Sequence, residues 1–173
     1  MNHTIIAGLS LLAAIGIAGC GTTKTADTPG RTVVGHFQTA QVPTFTLTTL
    51  THSQITIPYK GVTILYFMSS QCGSCIQGEK QLALLQPKLP SSVHIVSLGI
   101  SPEYGTPQGL INAAESTGAN WPQTFATPNL LQTFHITRLE QTVVISSQDQ
   151  IVFNTVLPPD AVLMQVIQEA QAK

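Results

Sequence analysis

Two cysteines separated by two small residues, Cys72 and Cys75, sit in the stretch Ser69–Lys80, SSQCGSCIQGEK. Three chemistries use such a pair. As a covalent staple it closes a very short loop, which removes little entropy from the unfolded chain. As half of a structural zinc site it needs about four ligands, commonly supplied by a second such pair. The chain has 3 cysteines, the other being Cys20 far upstream, and its 5 histidines, His3, His36, His52, His94 and His135, show no paired ligand spacing. As a redox couple the pair has a direct mechanism. A cysteine at the mouth of a helix faces unpaired N–H groups and the positive dipole end, which lower a thiol pKa from ~8.5 into the range ~3.5–7.5. Cys72 is then the exposed nucleophile, and Cys75, one turn deeper, is the resolving thiol that attacks a mixed disulfide. Gly73 and Ser74 are compact enough to let a substrate cysteine approach. Metal binding stays open as the alternative.

These roles require a strand that ends, and a helix that begins, at the pair. Val62–Met68, VTILYFM, is a continuous apolar run rich in β-branched and aromatic residues, the pattern of a strand covered on both faces. Ser74–Leu85 carries apolar Ile76, Leu82, Leu84 and Leu85 among good helix formers and is stopped by Pro87 and Pro90. Upstream, Pro43–Leu50 and Gln54–Ile57 read as a hairpin, and downstream Val93–Ile100 reads as a second buried strand, within which His94 is placed facing a helix. Thr106, Pro107 and Gly118 supply cap, first-turn and stop residues for a helix, and Thr127-Pro128 repeats the start signal for a shorter one. Trp121, Pro122 and Phe125 are expected to pack under the sheet. Gln141–Ser146 and Gln150–Val156 flank a tight turn as an antiparallel pair, and Asp160 is expected to cap a last helix with Val162, Val166 and Ile167 on its apolar face. Strands alternating with helices imply an α/β fold, a central mixed sheet with helices on its faces.

The bulk properties are those of one modest domain: 173 residues, 43% hydrophobic, net charge -1. Lys and Arg total 7 against 8 acidic residues, without a basic run, so no nucleic-acid partner is expected. Only 9% of residues are charged, and glutamines stand where Glu or Lys usually coat a helix, a surface that changes little on acidification. Residues 5–18, IIAGLSLLAAIGIA, are shorter than the ~20 residues of a membrane span and read as the core of a secretory signal. The following Ile17-Ala18-Gly19-Cys20 resembles a bacterial lipobox, which makes Cys20 the lipidated first residue of the mature chain, although the leading MNHT lacks Lys and Arg. The expected division is a signal peptide over 1–19, a flexible tether over 20–35 and a folded domain over 36–173, held at the extracytoplasmic face of a bacterial membrane.

The segment PTFTLTTLTHSQITIPYKGVTILYFMSSQCGSCIQGEKQL is similar to the opening of the membrane-anchored thioredoxin-like family typified by TlpA and ResA. The similarity runs more faintly through WPQTFATPNLLQTFHI to the last strand pair and helix, about Val42–Ala170. It implies a thioredoxin-like fold with an N-terminal β-hairpin, thiol-disulfide exchange outside the cytoplasm, including in cytochrome c maturation, and no cofactor beyond the Cys72–Cys75 disulfide. It also implies a protein thiol or disulfide as substrate, a membrane electron donor where the flow is reductive, and a monomer. Three positions depart from the family. Met68-Ser69-Ser70-Gln71 replaces a Trp-rich lead-in, and Gly78 stands where the family has Glu, with Glu79 one place later. Aligning Phe134-His135-Ile136 puts Glu140 at the position of the family's cis-proline, where a non-proline cis bond costs ~2.5–4 kcal/mol and a trans Leu139–Glu140 bond is expected. A carboxylate there opposes thiolate formation at Cys72, and the loss of the proline ring opens both sulfurs to a metal ion. The competing function is a Cu(I) metallochaperone resembling the Sco-type proteins, with Cys72 and Cys75 as soft ligands and His135 as a third.

Overall fold

The computed structural model describes residues 41–173; Cys20, the signal segment and the tether lie outside the described residues. The hairpin pairs β1 (Phe45–Thr48) with β2 (Gln54–Ile57) in antiparallel register, Phe45 opposite Ile57. The central sheet adds β3 (Val62–Met68), β4 (Val93–Gly99), β5 (Gln123–Phe125), β6 (Gln141–Ile145) and β7 (Ile151–Val156) in the order β5-β4-β3-β6-β7. β3, β4 and β5 run parallel, while β6 is antiparallel to both β3 and β7. The sheet is therefore mixed. Its helices are α1 (Gly73–Leu85), α2 (Pro107–Thr117), α3 (Pro128–Thr133) and α4 (Asp160–Gln171).

Every residue of β3 is buried, because alternate side chains feed opposite faces. Val62, Ile64, Tyr66 and Met68 join Leu82 and Leu85 of α1, Leu110 of α2, and Leu163, Val166 and Ile167 of α4. Leu65 and Phe67 join Phe45, Leu47 and Ile57 of the hairpin, Leu130 of α3 and Phe134 just after it. The hairpin thus covers the face that three of the helices leave open. Among the described residues no helix is long and apolar enough to cross a membrane.

Local signals set the helix ends. Thr106 and Thr127 accept from the N–H groups of Gly109 and Leu130, each followed by a first-turn proline, and Gly118 ends α2 in the left-handed region at φ 81°. Four expectations need correction. Asp160 is the first residue of α4 rather than its cap; Pro159 occupies the cap position, with no side-chain bond. Leu84 and Val162 are exposed, and α4 buries Leu163 instead. His94 stacks on the Tyr59 ring, centroids 4.6 Å apart, rather than meeting a helix. Gln123–Phe125, of which only Phe125 is expected from sequence to pack and to which no element is assigned there, is a strand, because β4 offers it a parallel edge.

Candidate active site

β3 ends at Met68, and the chain turns through Ser69–Gln71 before α1 begins. Ser69 holds this turn twice over: its hydroxyl donates to the Tyr104 carbonyl and accepts from the Gln71 N–H at 3.1 Å. Ser70 packs on Gly105 and Gly109, where an added Cβ would meet its Oγ at 2.7 and 2.5 Å. Small residues on both sides of the contact therefore let this turn approach Gly105 and the start of α2 closely.

Cys72 is the N-cap of α1, with extended backbone (φ -101°, ψ 106°), and its sulfur accepts from the Cys75 N–H at 3.2 Å. Ser74 Oγ lies 3.3 Å from the same sulfur. Cys72 is half-buried and Cys75 fully buried, and the two form a disulfide with Cα atoms 5.2 Å apart. A helix terminus directs N–H groups at Cys72 only, so the two sulfurs are chemically unequal. An ideal Cβ on Gly73 has no neighbour within 4 Å, which leaves the approach to Cys72 clear.

Glu140 faces this pair. Its carboxylate and both cysteine sulfurs lie within 4.8 Å of one another. The residue immediately precedes β6, its N–H donates to the Phe67 carbonyl at 2.8 Å, and its carbonyl accepts from Leu157 N–H at 3.0 Å. The Leu139–Glu140 bond is trans; the one cis peptide among the described residues is Ile57–Pro58. Glu140 has φ 62°. Proline, fixed near φ ≈ −65° and lacking an N–H, can neither adopt this backbone nor make the bond to Phe67. His135 is exposed, in the left-handed region at φ 49°, and is not part of the cysteine–carboxylate cluster.

Gly78 and Tyr66 form a matched pair behind Cys75. A Cβ on Gly78 would overlap the Tyr66 hydroxyl, so the phenol fills the space a side chain at this helix position would need. That hydroxyl donates to the Cys75 carbonyl at 3.0 Å. Burial pushes the Tyr66 phenol above its ordinary range, and the charges of Glu140 and Glu79 add to the effect, so it remains a donor.

Glu79 lies one turn beyond Cys75 on the buried face of α1. It is fully buried, with Ser97 Oγ donating to Oε1 at 2.8 Å and Gln123 Nε2 at 3.1 Å. Trp121 Nε1 donates in turn to Ser97 Oγ at 2.8 Å, which gives Trp121 a polar role beyond packing. Thr117 Oγ1 lies 3.2 Å from Oε2 but also 3.0 Å from the Ala113 carbonyl and 3.1 Å from that of Ala114. A hydroxyl has one proton. That proton is shared between the Glu79 carboxylate and the carbonyls of Thr117's own helix, so Thr117 is the weakest of the three donors to Glu79. Burial raises the Glu79 pKa above the ordinary carboxylate range, against the opposing pull of the hydrogen bonds from Ser97, Gln123 and Thr117. Sequence patterns do not reveal Tyr66 or this network. The signal for Glu79 is its i+4 spacing from Cys75, whereas nothing local marks Tyr66.

A mixed sheet between helices and a hairpin, with a disulfide at the junction of a central strand and a helix N-terminus, is a thioredoxin-like fold, and the solved structures bear this out. The Aeropyrum pernix thioredoxin-like protein is similar at TM-score 0.64 and 20% identity, over 73% of this chain and 89% of that one. StoA from Bacillus subtilis gives TM-score 0.62 at 21% identity, covering 73% and 98%. A thiol:disulfide interchange protein from Chlorobium tepidum gives TM-score 0.63 at 16% identity, covering 76% and 95%. At these identities the likeness defines the fold. No protein-family model and no curated protein sequence matches the chain.

Proposed function

We propose that the protein is an extracytoplasmic thiol-disulfide oxidoreductase that reduces protein disulfides through Cys72 and Cys75. The observation that carries this reading is the inequality of the two sulfurs: Cys72 half-exposed at a helix N-cap, Cys75 buried beneath it. In the reduced protein the Cys72 thiolate attacks one sulfur of a substrate disulfide, and the other leaves as a thiolate that takes a proton from water. Cys75 loses its proton, attacks Cys72 Sγ and expels the second substrate thiolate. Two electrons pass from the protein dithiol to the substrate, leaving the Cys72–Cys75 disulfide. The Glu140 carboxylate favours this direction, since a negative charge beside the sulfurs disfavours the thiolate and so favours the disulfide product.

Recharging requires a reductant, in this reading a membrane-bound electron donor. The lipobox-like Ile17–Cys20 supports tethering through Cys20 as a monomer on the outer face of a bacterial membrane, where an apocytochrome c is a fitting substrate class. Reduction of insulin and of a disulfide-bonded apocytochrome, with Cys72→Ser as control, tests the reading. Wild-type rates no higher than those of the variant overturn it.

A further inference from the structure

The cluster at the site contains more than a redox couple needs. Cys72, Cys75 and Glu140 arrive from two backbone segments, the start of α1 and the residue before β6, and their donor atoms lie within 4.8 Å of one another. Glu140 is held on both sides by backbone hydrogen bonds, to Phe67 and from Leu157. It also occupies a left-handed conformation that costs a non-glycine residue ~1–2 kcal/mol. Strain kept at a residue facing the reactive sulfurs points to a function for that side chain.

We propose that the reduced protein is a zinc site in which Cys72 and Cys75 thiolates and the Glu140 carboxylate are the ligands, and that disulfide formation releases the metal. Tetrahedral Zn²⁺ takes sulfur at ~2.3 Å and carboxylate oxygen at ~2.0–2.2 Å, which sets donors about 3.5–3.8 Å apart. The observed cluster reaches that arrangement with small side-chain motions once the sulfur–sulfur bond opens. The donor set selects the metal: hard Mg²⁺ and Ca²⁺ reject thiolates, soft Cu(I) gains little from a carboxylate, and borderline Zn²⁺ accepts both. Cys72 and Glu140 are both half-exposed, so a fourth position opens to water.

The steps balance. A phosphine reductant and water supply two electrons and two protons to the disulfide, becoming the phosphine oxide and leaving two thiols. Zn²⁺ then displaces both thiol protons to solvent. An oxidant that removes two electrons re-forms the sulfur–sulfur bond and frees the ion. Zinc and a substrate disulfide therefore compete for the same sulfurs, so the metal caps the dithiol while it waits. The site needs only the reduced pair and stands apart from exchange activity with any protein substrate.

The test titrates Zn²⁺ into phosphine-reduced full-length protein under anaerobic conditions against a chromophoric chelator. One ion per chain is expected in the reduced protein and none in the oxidised protein or in Cys72→Ser. Glu140→Gln should weaken binding by at least about tenfold, since even supporting residues of metal sites contribute that much. Thermal unfolding of the oxidised variant establishes that it folds. X-ray absorption of zinc-loaded wild type, which depends on no variant, should show two sulfur and two lighter donors. Binding no tighter than in Cys72→Ser, unchanged affinity in Glu140→Gln, or a zinc shell of sulfur alone each overturns the proposal.

Discussion

Replacing the Glu140 carboxylate by its neutral isostere, Glu140→Gln, removes one negative charge that lies within 4.8 Å of both sulfurs. At that distance two unit charges repel by ~0.9 kcal/mol in water and by ~3.5 kcal/mol at an effective dielectric constant of 20. Both groups are half-exposed, so solvent screens the pair and a value of about 1–2 kcal/mol is reasonable. At ~1.36 kcal/mol per pH unit, the midpoint of Cys72 thiolate formation should fall by roughly one unit in the variant. The assay is thiolate absorbance in the ultraviolet, on a Cys20→Ser, Cys75→Ser background so that a single sulfur titrates, with chelator present. The difference should shrink at 1 M salt, where the Debye length is ~3 Å. In the two-cysteine protein at alkaline pH, the reduction potential should rise by on the order of 20–40 mV as the thiolate is relieved of its neighbour. An unchanged or higher thiolate midpoint in Glu140→Gln would refute the electrostatic role and, with it, the argument that Glu140 biases the couple toward reduction.

Three further outcomes follow from the same geometry. Gly78→Ala should destabilise the fold by about 1–3 kcal/mol through its clash with the Tyr66 hydroxyl, and Tyr66→Phe in the same chain should recover part of the loss in chemical denaturation. Glu79 binds its proton more tightly folded than unfolded, so its contribution to stability is full below the unfolded value of ~4.3 and is lost as pH rises through the folded value, by at most about 1.4 kcal/mol per pH unit. Glu79→Gln removes the titrating group and should flatten that dependence; urea midpoints that track pH identically in both proteins would contradict a raised Glu79 pKa. Gly73→Phe should leave stability unchanged, because a Cβ there meets nothing, yet slow reduction of insulin about tenfold, ~1.4 kcal/mol of lost approach, while a small disulfide reagent reacts nearly as before.

The elements that carry strong local signals are legible in the sequence alone. VTILYFM can only be a strand buried on both faces, and the threonine-proline starts and Gly118 stop place α2 and α3, because capping and periodicity act within a few residues. The cysteine pair at the strand–helix junction, with Cys72 as the cap, belongs to the same class of information. Other features depend on what packs where. Leu84 and Val162 look like core residues by type, yet their faces of α1 and α4 turn to solvent. Gln123–Phe125 becomes a strand only because β4 presents an edge, and Glu79 becomes a buried acid only because Ser97, Thr117 and Gln123 converge on it from three other elements. Sequence alone determined that Cys72 and Cys75 sit at a helix mouth. Tertiary structure decided what surrounds them: a carboxylate brought by a segment more than sixty residues downstream, on a left-handed backbone no proline can adopt, and a tyrosine in the space left by Gly78. Contacts between distant segments are set by how whole layers pack, and no local pattern of residues encodes them.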